Sequence, residues 1–394
     1  MKIIFTADLH VHAHRADSHT AGADRLLDGL SALRQTLQYS RERGCPWVFG
    51  GDLKQPRRSW PHEALTGALA VLREFPDVEK VMVKGNHDGE GEYGSGLQPF
   101  AHLAAVVDRP CVVEVGARPM AVWPAMSDPA LRPEAFVDSV PPAAGVIIGH
   151  AFLQGARLGA EDFRAPGGAT PAQLGLGGAR PRFRLGLFGD VHKGQALARR
   201  PHRAPDWVPF AETLAESTVA VIRDAGEWAG DVLYPGSPYA QTWGEREDGP
   251  KGALLVDLDT GEVDLLRVDA PRYVAEDWVG DEWADRVRAY ASPRGDHDGV
   301  RAAWRGHFVR VAVGAWVRTA EFTAAFDRLR DVGEPRSLQV VAALRRSEAR
   351  RAEIHGGMSA PDLLRGYMTS RPLGGADPAH VLAAGEALLR GDEG

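Results

Sequence analysis

Eight side chains in this sequence can do chemistry together: Asp8, His10, Asp52, Asn86, His87, His150, Asp190 and His192. Each closes an apolar run. Ile3-Ile4-Phe5 leads to Asp8, Trp47-Val48-Phe49 to Gly50-Gly51-Asp52, and Val81-Met82-Val83 to Gly85-Asn86-His87-Asp88. Farther on, Val146-Ile147-Ile148 delivers Gly149-His150, and Leu185-Gly186-Leu187-Phe188 delivers Gly189-Asp190-Val191-His192. Carboxylate, imidazole and amide oxygens are ligands for hard to borderline divalent metals, and no thiolate joins them to favour zinc. Asp52 has two oxygens and can bridge two ions. Paired ions ~3.5–4 Å apart clamp both the attacking and the leaving oxygen of a phosphoryl displacement. Singly, each residue is an ordinary turn Asp or a satisfied core His; the ordered set points to a two-metal phosphoryl-transfer site.

The elements that must position these groups follow from periodicity. Residues 2–7 read as a buried strand. A helix at about 22–43 carries Leu26, Leu27, Leu30, Leu33 and Leu37 on one face, and Gly44 ends it. Residues 47–49 form the next strand. A second helix at about 61–75 has Pro61 near its start and Leu65, Leu69 and Leu72 along its inner face. With the strand before Asn86 this is β-α-β-α-β, which predicts a parallel sheet with right-handed crossovers. The polar clusters fall at carboxyl ends of strands, where open α/β sheets keep their sites. Residues 112–115 and 120–123 read as strands, and 254–258 with 263–268 as a hairpin around Asp259-Thr260-Gly261-Glu262. The Gly/Pro/Ala-rich stretch at about 154–181 is predicted to be a long surface loop. After Pro271 the composition shifts, and the acidic, Trp-bearing stretch 277–298 marks a boundary. A compact unit follows: strand 307–313, helix about 319–330, strand 338–344. Beyond the charged run 345–351, Ser359-Ala360-Pro361 opens one helix and Pro378 another.

At 394 residues the chain has room for about two to three domains. With 44% hydrophobic and 25% charged residues it has the composition of a soluble protein with a full core. No apolar run approaches the ~20 residues of a membrane span. The start, Met1 to Ala7, is too short for a signal peptide. Cys45 and Cys111 lack metal-ligand spacing, which predicts buried thiols in a reducing cytoplasm. The formal net charge of −7 argues against a free-standing clamp on nucleic acid; bound metals and a partner would have to supply positive charge.

Asp-x-His, Gly-Asp, Gly-Asn-His-Asp, Gly-His and Gly-x-x-His, in this order over residues 1–270, resemble the calcineurin-like metallophosphoesterases. Within them the chain is similar to the SbcD-type nucleases, nuclease subunits of SbcC–SbcD DNA-repair complexes. Tyr234-Pro235-Gly236-Ser237-Pro238, Gly244-Glu245, Lys251-Gly252 and Pro271-Arg272 follow that family's order, and the unit at 307–344 is similar to its capping domain. The resemblance implies an α/β fold of two facing mixed sheets flanked by helices. It divides the chain into a nuclease domain (1–275), a small α/β capping domain (276–352) and C-terminal partner-binding helices (353–394). One metal would take Asp8, His10, Asp52 and His192, and the other Asp52, Asn86, His150 and Asp190. Both would be Mn²⁺, with Mg²⁺ as the alternative. His87 would assist the transition state or leaving group and Asp88 would position the site. The implied activity is DNA exonuclease and endonuclease cleavage in repair and recombination, in the cytoplasm, as a homodimer with a coiled-coil ATPase of SbcC type. Two departures stand out: the last motif usually reads Gly-His-x-His, and Gln55 occupies a position that is usually His or Asp.

Lesser signals extend this picture. Arg57, Arg58, Arg182, Arg184, Arg199 and Arg200 flank the second and fifth motifs and could track a nucleic-acid backbone; solvated surface arginines are the alternative. His12, His14 and His19 read as loop histidines, and Trp278, Trp283, Trp304 and Trp316 as core and domain-contact residues. Leu363, Leu364, Tyr367 and Met368 form an apolar stripe suited to the ATPase partner. Competing readings are a stand-alone metallophosphoesterase acting on small nucleotides or phosphoesters, and a catalytically weak scaffold subunit.

Overall fold

In a computed structural model, residues 1–12, 25–55, 59–90, 94–125, 132–158, 163–164, 168–177, 181–198, 206–209, 231–246, 248–278, 297–313 and 320–342 are described. They divide into two units. The first holds Met1–Val274 with Arg301–Val309 and Gly333–Leu338; the second holds Ala275–Val300, Arg310–Val332 and the residues from Gln339 onward. Arg57, Arg58, Arg199, Arg200, His14, His19, Trp283, Trp316 and the C-terminal segment with Leu363, Leu364, Tyr367 and Met368 lie outside the described residues.

Two sheets build the first unit. The first contains β1 (Lys2–Thr6), β2 (Trp47–Phe49), β3 (Lys80–Val83), β6 (Ala105–Val107), β16 (Gly252–Asp257) and β17 (Val263–Arg267), ordered β17-β16-β1-β2-β3-β6. As the β-α-β-α-β pattern predicts, β1, β2 and β3 are parallel, with Ile4 opposite Trp47 and Trp47 opposite Lys80. The second contains β7 (Cys111–Val115), β8 (Arg118–Trp123), β9 (Val146–His150), β12 (Leu185–Gly189), β13 (Gln195–Ala198), β14 (Asp206–Pro209) and β15 (Asp231–Tyr234), ordered β14-β13-β15-β12-β9-β8-β7. A small pair, β4 (Gly89–Glu90) with β5 (Gly94–Ser95), follows the third motif.

The strands read as continuous apolar runs because both faces are covered. Ile3, Phe5, Val48, Val81 and Val83 share one buried cluster with Met120, Val122, Ile148 and Leu187, so the two sheets face each other across a common core. The alternate residues Ile4, Trp47, Phe49 and Met82 pack instead with helices α1 (Arg25–Arg43) and α2 (His62–Arg73). On α1, Leu26, Leu33 and Leu37 are buried, but Leu27 is 65% exposed. Neighbours on a helix point ~100° apart, so Leu26 and Leu27 cannot both face inward as the leucine pattern suggested. The inner face of α2 is Ala64, Ala68, Val71 and Leu72; Leu65 and Leu69 flank it, partly buried.

The outer face of the second sheet is covered by α3 (Pro133–Ser139) and by the stretch expected to be a long surface loop. That expectation needs correction. β10 (Arg157–Leu158) pairs with β11 (Phe163–Arg164), and Leu153, Ala156, Leu174 and Leu176 are buried with Phe183 and Phe188. A few apolar side chains spaced through Gly- and Pro-rich sequence are enough to anchor it. The cysteines are corrected too: Cys45 and Cys111 are free thiols but only half-buried.

Strands β18 (Tyr273–Trp278), β19 (Phe308–Val313) and β20 (Ser337–Ala342) form a three-stranded sheet, most of which belongs to the second unit with helix Ala320–Gly333. There Trp278 packs against Phe326, with ring centroids 6.1 Å apart. No described helix is long and apolar enough to cross a membrane.

Candidate metal centre

The first two motifs are the continuation of the β1–β2 ladder. Gly50 N–H donates to Thr6 O at 2.8 Å, Asp8 N–H to Gly51 O and His10 N–H to Asp52 O at 2.9 Å each, and Val11 N–H to Leu53 O at 2.7 Å. Within this paired stretch the backbone is left-handed at Asp8 (φ 56°), His10 (φ 44°) and Asp52 (φ 62°), and again at Asp190 (φ 93°) after β12. Such values are uncommon for residues other than glycine, with Asp and His among the tolerated types. They persist where surrounding hydrogen bonds over-determine the backbone, and they concentrate at functional sites.

These turns bring the side chains together. Among the described residues, three groups have ligand atoms within 4.8 Å of one another: Asp8 with His10 and His192, His10 with Asp52 and His87, and Asp8 with Asp52 and His150. Asp52 Oδ2 lies 3.6 Å from His10 Nε2 and 3.5 Å from His150 Nε2. His10 Nε2 is 3.0 Å from His192 Nε2. Asp190 joins through three contacts. Its N–H donates to the Asp8 carboxylate (3.1 and 3.2 Å), its Oδ1 accepts from Asn86 Nδ2 (2.8 Å), and that oxygen is 3.5 Å from His150 Nε2. His87 is placed by its N–H, which donates to Asp52 Oδ1 at 2.7 Å, and by its Nδ1–H, which donates to the Gln55 carbonyl at 2.5 Å. Gln55 thus contributes through its backbone. The buried Asp88 carboxylate accepts N–H groups from Asp52, Leu53, Lys54 and Gly85.

The residues fit two divalent ions. His150 Nδ1–H donates to Gly50 O at 2.8 Å, which turns Nε2 into the cluster, where this buried nitrogen lies 3.5 Å from Asp52 Oδ2 and from Asp190 Oδ1 with no hydrogen-bond partner among the described residues. A cation is the partner that an orphaned imidazole nitrogen beside two carboxylates lacks. The electrostatics agree. Burial pushes the Asp8 carboxyl up to about 7, with the charges of Asp52 and Asp190 adding and His192 and His150 opposing. Burial likewise pushes His10 down to about 3. Burial opposes charge on Asp52 too, but His150, His10 and His87 outweigh it and hold that carboxyl below its usual range. Burial opposes charge on His150 and His192 too, but Asp52 outweighs it at the first and the Glu245 hydrogen bond at the second, and both are held above the usual imidazole range. Bound divalent charge would take the place of these protons among the crowded carboxylates.

The loop after β15 holds residues that the motif reading left without a role. Glu245 Oε1 accepts His192 Nδ1–H at 3.2 Å, Gln241 Nε2 donates to Asp8 O at 2.6 Å, and Tyr239 OH donates to Leu9 O at 2.9 Å. The one sequence signal for them is Glu245 and Lys251, an acid and a base six residues apart after Ser237. Asp190, His192, Lys193, Thr242, Glu245 and Asp248 are among the residues lining a cavity of about 420 Å³ beside the cluster. A second groove, of about 640 Å³, shares Glu245 and is lined by Arg246, Lys251, Arg267 and Arg272 among others.

Arg182 and Arg184 lie just before β12, at the opposite end of that strand from Asp190. Arg182 donates to the Val140, Pro141 and Ala144 carbonyls, and Arg184 to the Leu258 carbonyl. Their guanidinium groups therefore cap backbone at the far end of the sheet rather than face the cluster.

Residues 1–123 match the family model for calcineurin-like phosphoesterases. No curated protein matches the chain. The matched residues carry Asp8, His10, Asp52 and Asn86 to Asp88, while His150, Asp190 and His192 lie beyond them and are brought to the same cluster by β9 and β12. The two-sheet α/β architecture is that of a metallophosphoesterase fold, and the match with the clustered Asp and His side chains supports a metal-dependent phosphoesterase.

Proposed function

We propose that this chain is the nuclease subunit of an SbcC–SbcD-like complex, a two-metal phosphodiesterase that cleaves DNA. The observation that carries the hydrolytic reading is the convergence of Asp8, His10, Asp52, His150 and His192 at strand ends from both sheets. Asp8, His10, Asp52 and His192 would hold one ion, and Asp52, Asn86, His150 and Asp190 the other. When bound, the two ions supply Lewis-acid stabilisation of the charge that develops on the phosphoryl oxygens. The rest falls to the chain. Asp52 spans both positions, and Asp88 fixes the backbone that carries it. With its Nδ1–H donated to the Gln55 carbonyl, His87 in its doubly protonated form would hand the Nε2 proton to the leaving oxygen and be left as the neutral Nδ1–H ring.

Three features favour DNA over a small phosphoester. The order of Tyr234, Ser237, Glu245 and Lys251 resembles SbcD-type nucleases. The groove with Arg246, Arg267 and Arg272 offers cations to a polyanionic strand next to the cluster. A net charge of −7 suits a subunit whose partner, a coiled-coil ATPase, brings further basic surface. The test is cleavage of duplex, single-stranded and hairpin DNA with Mn²⁺ or Mg²⁺, beside a small phosphodiester and free nucleotides, with and without a co-encoded ATPase. Metal-dependent DNA cleavage enhanced by the ATPase is the expected result. Turnover of the small substrates alone would replace the nuclease reading with a stand-alone phosphoesterase. Removal of the residues after about 352 should abolish co-purification with the ATPase; undiminished binding would move the partner site elsewhere.

A further inference from the structure

The geometry points to the 237–251 loop as the clamp that positions the Asp8–His10–His192 side of the metal centre, with Glu245 as the positioning residue for His192. The inference rests on the two-metal reading above.

The loop grips His192 at both its ring and its backbone. Glu245 Oε1 accepts His192 Nδ1–H (3.2 Å), and Glu245 Oε2 accepts from Ser237 Oγ (2.8 Å), Gln241 N–H (3.3 Å) and Lys251 Nζ (3.3 Å). Lys251 Nζ also donates to His192 O (2.7 Å), as does the Ser237 N–H (3.1 Å). The approach is close enough that Gly236, at φ 73°, leaves no room for a side chain: a Cβ there would sit 2.7 Å from His192 O. The same loop reaches the first motif through Tyr239 to Leu9 O and Gln241 to Asp8 O. Its contacts therefore fall on the two backbone segments that supply Asp8, His10 and His192, one complete ligand group. The other side is held from elsewhere, Asp52 by Asp88 and His150 by the Gly50 carbonyl.

The chemistry follows from the acceptor. A carboxylate that already accepts from Ser237 Oγ, Gln241 N–H and Lys251 Nζ accepts here as well, so Nδ1 of His192 carries a proton and Nε2 is the ring atom available to a metal. That Nε2 is the atom 3.0 Å from His10 Nε2, inside the cluster. A carboxylate behind a ligating imidazole fixes its tautomer and orientation and raises its basicity, and losing such a partner lowers metal affinity by about 10–100-fold.

The test uses the full chain and two variants, Glu245→Ala and Glu245→Gln, with Mn²⁺ binding followed by calorimetry and electron paramagnetic resonance. In Glu245→Ala one of two binding steps should weaken by about 10–100-fold while the other keeps its affinity. Glu245→Gln, which keeps an acceptor oxygen but loses the charge, should weaken the same step by less. Nitrogen-15 spectra of the metal-free chain, taken at a pH where the His192 ring is neutral, should show it protonated at Nδ1 in the wild type and as mixed tautomers in Glu245→Ala. Wild-type affinity at both steps in the variants, or equal weakening of both steps, overturns the assignment. If the alanine variant fails to fold, the glutamine variant decides by the same criterion. A wild-type chain that takes up no Mn²⁺ would remove the metallophosphoesterase reading. The tautomer would then decide the Glu245 inference on its own, and a neutral His192 protonated at Nε2 alone would overturn it.

Discussion

Asp88 accepts the backbone N–H of Asp52 on the same oxygen, Oδ2, that accepts the N–H of Gly85, at 2.7 and 2.9 Å. Its Oδ1 takes the N–H groups of Leu53 (2.9 Å) and Lys54 (3.3 Å). One buried carboxylate thus ties the loop after β2 to the loop after β3. Burial pushes this carboxyl up to about 6, Asp52 adding to the rise and the N–H groups of Gly85 and Lys54 opposing it. The left-handed turn at Asp52 is therefore fixed by a residue that need not touch a metal.

Asp88→Asn should expose this dependence. An amide keeps the shape but turns an NH₂ group toward N–H donors, leaving at least one buried group unsatisfied, at a cost of about 1–3 kcal/mol. We expect that loss in urea unfolding together with weaker Mn²⁺ binding in calorimetry. A variant with unchanged stability and metal affinity would show that the loops are held by other contacts.

Asp52 and His87 should separate metal assembly from chemistry. Asp52→Ala removes the carboxylate proposed to serve both ions and also the acceptor of the His87 N–H, so bound metal and activity should fall together. His87→Ala should keep two bound ions by elemental analysis while turnover drops by about 10²–10⁴, the usual contribution of a proton-transfer group. Loss of one ion from His87→Ala would instead make His87 a ligand, a role open to it within the His10–Asp52–His87 group.

Two glycines give contrasting tests. A Cβ on Gly85 would sit 2.1 Å from Asp52 Oδ1 and 2.2 Å from Asp52 N, so Gly85→Ala must displace the Asp52 carboxylate and should abolish metal binding. Gly44 ends α1 at φ 57°, and a Cβ there would meet nothing within 4 Å. Gly44→Ala should therefore lower stability by about 1 kcal/mol through backbone strain alone and leave activity unchanged. Retained metal binding in Gly85→Ala would mean that Asp52 is not held where the Gly85 backbone places it.

Much of this site is legible in the sequence because strand ends are local signals. Apolar runs ending in Gly-Asp, Gly-Asn-His-Asp or Gly-His mark both the strand and the side chains it delivers. What the pattern does not carry is contact between distant segments. The clamp on His192 comes from Glu245 and Lys251, separated from it by 53 and 59 positions. Tyr239 reaches Leu9 across 230. The left-handed turns at Asp8, His10 and Asp52 are equally silent, since nothing in residue type announces that ladder pairing continues through them. Leu27 and the 154–181 stretch fail for a related reason: composition shows how apolar a segment is, and packing decides which of its residues are buried.

Asp190 stands where SbcD-like motifs carry His, and its consequence should appear in metal preference. A carboxylate adds one negative charge and a hard oxygen donor near His150 and Asn86. Asp190→His should keep activity but shift the preference away from Mn²⁺ and Mg²⁺ toward softer ions, read as activity across a divalent-metal series. An identical metal profile would mean that Asp190 acts only through its backbone N–H to Asp8 and its bond to Asn86.

Arg267 and Arg272 are the residues on which the DNA reading turns. Both are exposed, both line the groove that shares Glu245, and neither belongs to the metal cluster. Arg246 lines the same groove, so a phosphate backbone lying there would meet cations along its length and approach the centre past Glu245. Binding of this kind releases counterions, and each neutralised phosphate contributes about 0.9 to the slope of log affinity against log salt on duplex DNA. The double variant Arg267→Glu, Arg272→Glu should therefore weaken DNA binding to a similar degree across sequences and flatten that slope by about 2. Its bound-metal content should match the wild type, because no metal ligand is altered. Fluorescence anisotropy at several salt concentrations measures both quantities. An unchanged slope, with affinity intact, would place the nucleic acid on another face of the protein and take from the nuclease reading its support from this groove.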